Sequence, residues 1–251
     1  MPCSSQGDIR SAPPFFYTKG DLSLLSSQSV AVVGTRYPTH YGRRMSETLG
    51  RDLALAGVTV VSGMARGCDT AAHRGALSAK GKAVAVLGTG VNIVYPRENR
   101  RLYEEIGAKG LVVSEFSMNT PPHHANFPQR NRIISGLSLG VVVVEAPLRS
   151  GALITASCAL DCGREVFALP GEVTSMKSRG TNRLIRDGAT VVESFRDIVE
   201  TLSLGDVVNG AATVEGKTDR ADHPPEVKPR PELAGEEEVI VRLWPMKSPS
   251  Q

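Results

Sequence analysis

Val30-Ala31-Val32-Val33-Gly34-Thr35-Arg36 sets four consecutive apolar residues directly against a glycine, a hydroxyl and a guanidinium. An apolar run this short, broken at once by glycine, reads as a strand buried on both faces, as the inner strands of parallel sheets are. Runs of the same kind recur at 58–62, 83–87, 111–114, 141–145, 166–168 and 190–192. Between them, 42–56, 69–80, 98–106, 152–162, 182–186 and 194–202 carry apolar residues at helical spacing and end at or near glycines. Strand and helix alternating from Ser29 to Leu202 predict βαβ units. The fold class is α/β: a doubly wound, mainly parallel sheet with helices on both faces.

Outside that unit the sequence changes character. Residues 1–28 read as a lead-in segment in which 12–25 packs Phe15, Phe16 and Tyr17 as core ahead of the first strand. The main domain spans 29–202. Residues 203–235 hold His223-Pro224-Pro225 and Lys228-Pro229-Arg230-Pro231 and are expected to be a flexible linker, too polar to fold alone. Residues 236–251 are expected to form one short amphipathic helix, over 236–244, before Pro245.

With 29 basic against 26 acidic residues in 251, a formal charge of +3 announces no polyanion partner, so a nucleic-acid site has to come from clustering. Cys3, Cys68, Cys158 and Cys162 lack the paired spacing of a zinc site or a secreted disulfide scaffold, and point to a reducing cytoplasm. The polar stretch 1–11 has no apolar signal region, and no apolar run is long enough to span a bilayer. Neither secretion nor a membrane partner is expected.

In open α/β sheets, ligands bind outside the carboxyl ends of the strands. Gly34-Thr35-Arg36 stands there: the glycine admits a phosphate to the backbone, the threonine can donate to it and the arginine can clamp it. A tight turn with a solvated arginine uses the same residues, and Arg36 sits where the dinucleotide fingerprint needs its second glycine. After the second run, Ser62-Gly63-Met64-Ala65-Arg66-Gly67-Cys68-Asp69 reads as a strand-to-helix turn with Asp69 as N-cap. Gly88-Thr89-Gly90 reads as a simple loop, because no Gly-Lys-Ser/Thr follows it.

Phe127-Pro128-Gln129-Arg130-Asn131-Arg132 puts one ring beside two guanidiniums and an amide, just ahead of Ile133 and Ile134. His123 and His124 precede it in a loop over 115–129; their side chains point apart and no third ligand is near, so no metal is expected. Ser150-Gly151 opens the helix after the fifth run, a ready-made anion site and equally an ordinary cap. Arg36, Arg66, Arg97, Arg130, Arg132 and Arg149 fall just after strands or at helix openings, which predicts a rim of guanidiniums around Phe127. Such a rim fits single-stranded nucleic acid, where backbone charge supplies affinity and each stacked base adds roughly 1–3 kcal/mol. Duplex readout fits less well, since no helix presents a row of base-reading side chains.

Five groups of residues occur in one order: Gly34-Thr35-Arg36; Ser62-Gly63 with Asp69 and Ala71-Ala72-His73-Arg74-Gly75-Ala76-Leu77; Phe127-Pro128 with Arg130-Asn131-Arg132-Ile133-Ile134; Val144-Glu145-Ala146 with Ser150-Gly151; and Pro170-Gly171 with Gly180-Thr181-Asn182. From about Pro13 to Leu202 the chain resembles the DNA-processing protein A (DprA/Smf) family. The resemblance implies an extended Rossmann-like domain that binds single-stranded DNA without sequence preference and forms homodimers. It further implies protection of incoming DNA and loading of the RecA recombinase in natural transformation, with no catalytic residues and no cofactor. By motif, Gly34, Thr35 and Arg36 resemble the phosphate grip and Phe127 the stacking ring, while His124 falls near a basic residue that relatives carry shortly before that ring. Arg130, Asn131, Arg132, Ser150 and Gly151 complete the expected nucleic-acid edge. Pairing of Arg132 with Glu115 or Glu145, holding the loop, is the other reading of that residue.

The chain also departs from the family pattern. Arg66 and Cys68 stand where aliphatic residues are usual, and Ala125-Asn126 separates the histidines from Phe127. No counterpart of relatives' N-terminal helical domain is expected, and 236–244 resembles only the opening helix of their C-terminal winged helix. Two other classes compete. A nucleotide-processing hydrolase, resembling the lysine-decarboxylase-like phosphoribohydrolases, would share the fold, but their Pro-Gly-Gly-x-Gly-Thr loop is replaced by Arg149-Ser150-Gly151-Ala152-Leu153-Ile154. Glu115 and Glu145, at strand ends, are then the candidates for acid–base work. The third class is a partner-docking module that keeps the fold without DNA affinity.

Overall fold

The computed structural model describes residues 13–204 and 239–242. Nine strands form one sheet among the described residues: β1 (Phe15–Gly20), β2 (Ser29–Val33), β3 (Thr59–Ser62), β4 (Ala83–Val86), β5 (Leu111–Ser114), β6 (Gly140–Val143), β7 (Glu165–Ala168), β8 (Thr190–Val191) and β9 (Val239–Arg242). The helices are α1 (His40–Leu55), α2 (Cys68–Ser78), α3 (Arg100–Lys109), α4 (Asn126–Gly136), α5 (Gly151–Asp161), α6 (Arg179–Arg186) and α7 (Phe195–Thr201). The strand order is β8-β7-β6-β2-β3-β4-β5-β1-β9, parallel from β8 to β5 and antiparallel where β1 joins β5 and β9 joins β1.

Alternation along the strands divides the core between the two faces. Val30, Val32 and Val60 meet Leu49 and Leu53 of α1, Ala72 of α2, Ile106 of α3 and Ile198 of α7. Ala31, Val33 and Val61 meet Ile133 and Ile134 of α4 and Ala156 of α5. Every residue of β2 is buried, which is why its sequence lacks the alternation of a half-exposed strand. Chain order reverses at β2: β3 lies on one side and β6 on the other. A reversal of this kind opens a crevice at the carboxyl ends of the two strands, where the loops diverge.

The sheet and its helices stand as expected, with three differences. The lead-in segment does more than pack, since β1 extends the sheet as an antiparallel strand with Phe16 and Thr18 buried and Phe15 and Lys19 exposed. The helix expected over 236–244 is not formed, because the backbone of Val239–Arg242 pairs with β1 as a strand. The loop expected to reach Gln129 ends earlier: α4 begins at Asn126 and takes Phe127 and Pro128 into its first turn. Proline fits there because the first turn's N–H groups have no partner within the helix. Of the linker expected over 203–235, residues 205–235 lie outside the described residues.

Candidate nucleic-acid interface

The crevice at the β2 and β6 ends is a groove of about 610 Å³. Gly34 begins it, at a position where a Cβ would stand 2.5 Å from Cys68 Sγ, so only glycine lets the loop lie against α2. The Thr35 N–H donates to the Glu145 carbonyl at 2.8 Å, and the Cys68 N–H donates to the Thr35 carbonyl at 3.2 Å. These bonds fix the loop and turn its next residue outward. Arg36 is exposed, and its guanidinium carbon lies 5.3 Å from the centre of the Phe127 ring. The Thr35 hydroxyl accepts from the Tyr37 N–H at 3.3 Å and keeps its own proton to donate.

Phe127 is half-buried. The Tyr95 ring lies 5.6 Å away, tilted by 33°. Gly88 leaves the space the ring occupies, and the Asn126 side-chain amide donates to the Gly88 carbonyl at 3.1 Å, tying α4 to the β4 end. His124 is exposed on the groove wall, its ring 4.3 Å from that of His123. Ser150 caps α5 by accepting from the Ala152 N–H at 3.3 Å, and a side chain at Gly151 would meet nothing within 4 Å. Backbone at the α5 start is therefore open to a ligand. Asn131 is 8% exposed and donates to the Gly151 carbonyl at 3.2 Å, joining α4 to α5.

The expected rim of six arginines is corrected by burial and pairing. Arg130 is only 4% exposed and belongs to the floor. Its Nη1 donates to the Gly63 carbonyl at 2.7 Å and to the Val86 carbonyl, so the guanidinium is engaged by backbone and holds the β3 and β4 ends together. Arg132 pairs with Glu115 and does not line the groove, as the holding role foresaw. Arg66 pairs with Glu98 outside the groove, and Arg97 does not line it. Arg36 and Arg149 remain as lining guanidiniums that are exposed. Tyr37 and Tyr95 also line the groove; the sequence reading passed over both, although Tyr95 follows the Gly88-Thr89-Gly90 loop at a strand end.

Beneath the floor, Asp69 is not the N-cap, a position that Gly67 fills at φ 78°. Its carboxylate turns back to accept from the Gly63 and Ala65 N–H groups, each at 3.2 Å. Burial pushes its pKa up to about 6, against the opposing pull of Arg130, whose own pKa burial lowers to about 10. Glu115 is also raised by burial, with Arg132 opposing. Glu145 is 2% exposed and accepts from the Thr39 N–H at 2.8 Å and the Thr39 hydroxyl. Both carboxylates proposed for hydrolytic work are thus held by their own structure. Among the described residues no group of three or more His, Cys, Asp or Glu is placed to hold a metal ion, and no helix is long and apolar enough to cross a membrane.

A cleft at the switch point of a doubly wound sheet, walled by a guanidinium over an aromatic ring and by open helix-start amides, places the chain among α/β proteins whose candidate site lies at the carboxyl ends of the strands. The chain belongs to the DNA recombination-mediator protein A family, whose model matches residues 3–203. It is 48% identical over 194 residues to Protein Smf of Escherichia coli K12, covering 77% of this chain and 52% of that one. The chain thus spans about half the length of that relative. The crystal structure of DNA processing protein A from Streptococcus pneumoniae superposes with a TM-score of 0.75 at 43% identity, covering 78% of this chain and 69% of that one. DNA processing protein A from Helicobacter pylori, whose structure is described for its single-stranded DNA binding mode, gives a TM-score of 0.74 at 32% identity over 80% of this chain and 92% of that one.

Proposed function

We propose that the groove binds single-stranded DNA, with Arg36 on a phosphate, Phe127 stacked on a base, and the Gly34, Thr35, Ser150 and Gly151 backbone lining the phosphate path beside His124. The observation that carries this is the exposed Arg36 guanidinium set 5.3 Å over the half-buried Phe127 ring. Charge and stacking are the two terms that bind single strands without reading sequence. Arg130, Asn131 and Arg132 act through position: they hold the groove's walls and floor. Family membership supports the wider reading, a cytoplasmic homodimeric mediator that protects incoming DNA, loads RecA in natural transformation and catalyses no turnover.

A titration of oligothymidine against the wild type, Arg36→Ala and Phe127→Ala tests it, with duplex of the same length as control. Arg36→Ala is expected to weaken binding and flatten the logarithmic salt slope by about 0.7, the value for one phosphate contact on a single strand. Phe127→Ala is expected to cost roughly 1–3 kcal/mol with the slope unchanged. Unaltered affinity and slope in both variants would sink the proposal.

A further inference from the structure

Arg36 and Tyr37 form a ridge: they line the first groove and also a second one, of about 410 Å³, on the ridge's far side. The second groove lies against α1 and α2 and brings Arg36, Arg43, Arg66 and Arg74 together with Glu47 and Glu98. Glu98 is used by Arg66, which donates to both its oxygens. Arg36, Arg43 and Arg74 are exposed and take no ion pair among the described residues, so three guanidiniums face one remaining carboxylate. At 69% exposure Tyr37 is the most exposed aromatic among the described residues, and it stands between the two basic surfaces.

The first groove, at about 610 Å³, falls in the range of sites that hold one drug-sized ligand, roughly 300–1,000 Å³. A nucleotide or two fill it, and a longer strand has to leave across its wall. We propose that the strand crosses the Arg36–Tyr37 ridge and continues in the second groove, where Tyr37 stacks a base and Arg43 and Arg74 take phosphates. The proposal rests on the single-strand reading of the first groove and extends it. An acidic protein segment would match the arginines alone; a ring exposed between two phosphate-binding surfaces matches a ligand that alternates phosphate with flat base.

The test compares the wild type with the Arg43→Gln/Arg74→Gln double variant on oligothymidines of about 4 and about 16 nucleotides, the span of site sizes for single-strand grooves. Both side chains are exposed, so the variant is expected to keep the wild-type melting temperature. The short oligonucleotide should bind both proteins alike. The long one should bind the variant several-fold more weakly, with a logarithmic salt slope smaller by about 1.4, or 0.7 for each of two phosphates. Wild-type-like affinity and slope on the long strand would overturn the extension alone, including the case in which an acidic protein occupies the groove. Equal loss on both lengths would overturn it too. If the wild type binds neither length, the reading of the first groove falls and the extension with it.

Discussion

Gly88 decides where the Phe127 ring can lie. A Cβ at that position would stand 2.8 Å from the ring's Cδ1 and 3.1 Å from Cε1, closer than a methyl group and an aromatic edge can approach. In Gly88→Ala the ring has to tilt away from its place beside Tyr95 and under Arg36, while the backbone, which is not in the left-handed region here, accepts alanine. Single-strand affinity is expected to fall by about 1 kcal/mol, the lower end of the cost of losing a stacked base. Fluorescence anisotropy with labelled oligothymidine reads this, and an affinity equal to wild type would show that the ring's placement does not matter. The same scale shows what the sequence hides. Arg130 and Arg132 are indistinguishable as letters, yet one is bound by carbonyls 67 and 44 residues away and the other by a carboxylate 17 residues away. Partners at such separations leave no mark in a local pattern, whereas Arg36, beside a glycine at a strand end, was legible because its context is local.

At the level of elements, Glu145 couples the β6 end to the start of α1. Its carboxylate takes the Thr39 N–H and hydroxyl, Thr39 in turn accepts from the Gly42 N–H at 3.1 Å as N-cap, and Gly42 lies directly against the carboxylate. The carbonyl of the same residue holds Thr35 at 2.8 Å, so the Gly34-Thr35-Arg36 loop and the helix cap share one anchor. Glu145→Ala strips buried donors of their acceptor and is expected to cost about 1–3 kcal/mol of stability. Glu145→Gln keeps an acceptor oxygen and should cost less. Urea unfolding of the two variants checks the order, and a larger cost for glutamine would show that the carboxylate's charge rather than its hydrogen bonds matters. Element legibility followed burial: β2 to β7 announced themselves because buried parallel strands must be apolar throughout. β1 did not, because half of its residues are exposed, and the backbone pairing of β9 with β1 depends on a contact far away in sequence. The start of α4 was obscured by Pro128, which reads as a loop residue until its place in the first turn is known.

For the whole molecule, the buried ionisable groups under the groove floor set how stability responds to acid. His73 is fully buried within α2, with no hydrogen-bond partner for either ring nitrogen among the described residues. Burial, reinforced by Arg130, lowers its pKa from 6.5 to about 3. As pH falls below 6.5 the unfolded chain gains a proton that the folded state refuses, so stability drops from there down to about 3. Asp69 works in the opposite sense: its pKa is raised from 3.8 to about 6, so burying it ionised costs most above pH 6 and the cost is relieved as pH falls toward 3.8. Between those limits the two slopes oppose each other, and wild-type stability from this pair should change little between about pH 7 and pH 5. His73→Leu removes one slope and leaves the other. Relative to the wild type, the variant is expected to gain about 2 kcal/mol between about pH 7 and pH 5, from about 1.5 pH units of unmatched proton uptake at 1.36 kcal/mol each. Because Asp69 is common to both proteins, its contribution cancels in the comparison. Urea midpoints measured for the pair at the two pH values give the difference directly, and a stability gap that does not move with pH would mean that His73 is not held neutral by its burial.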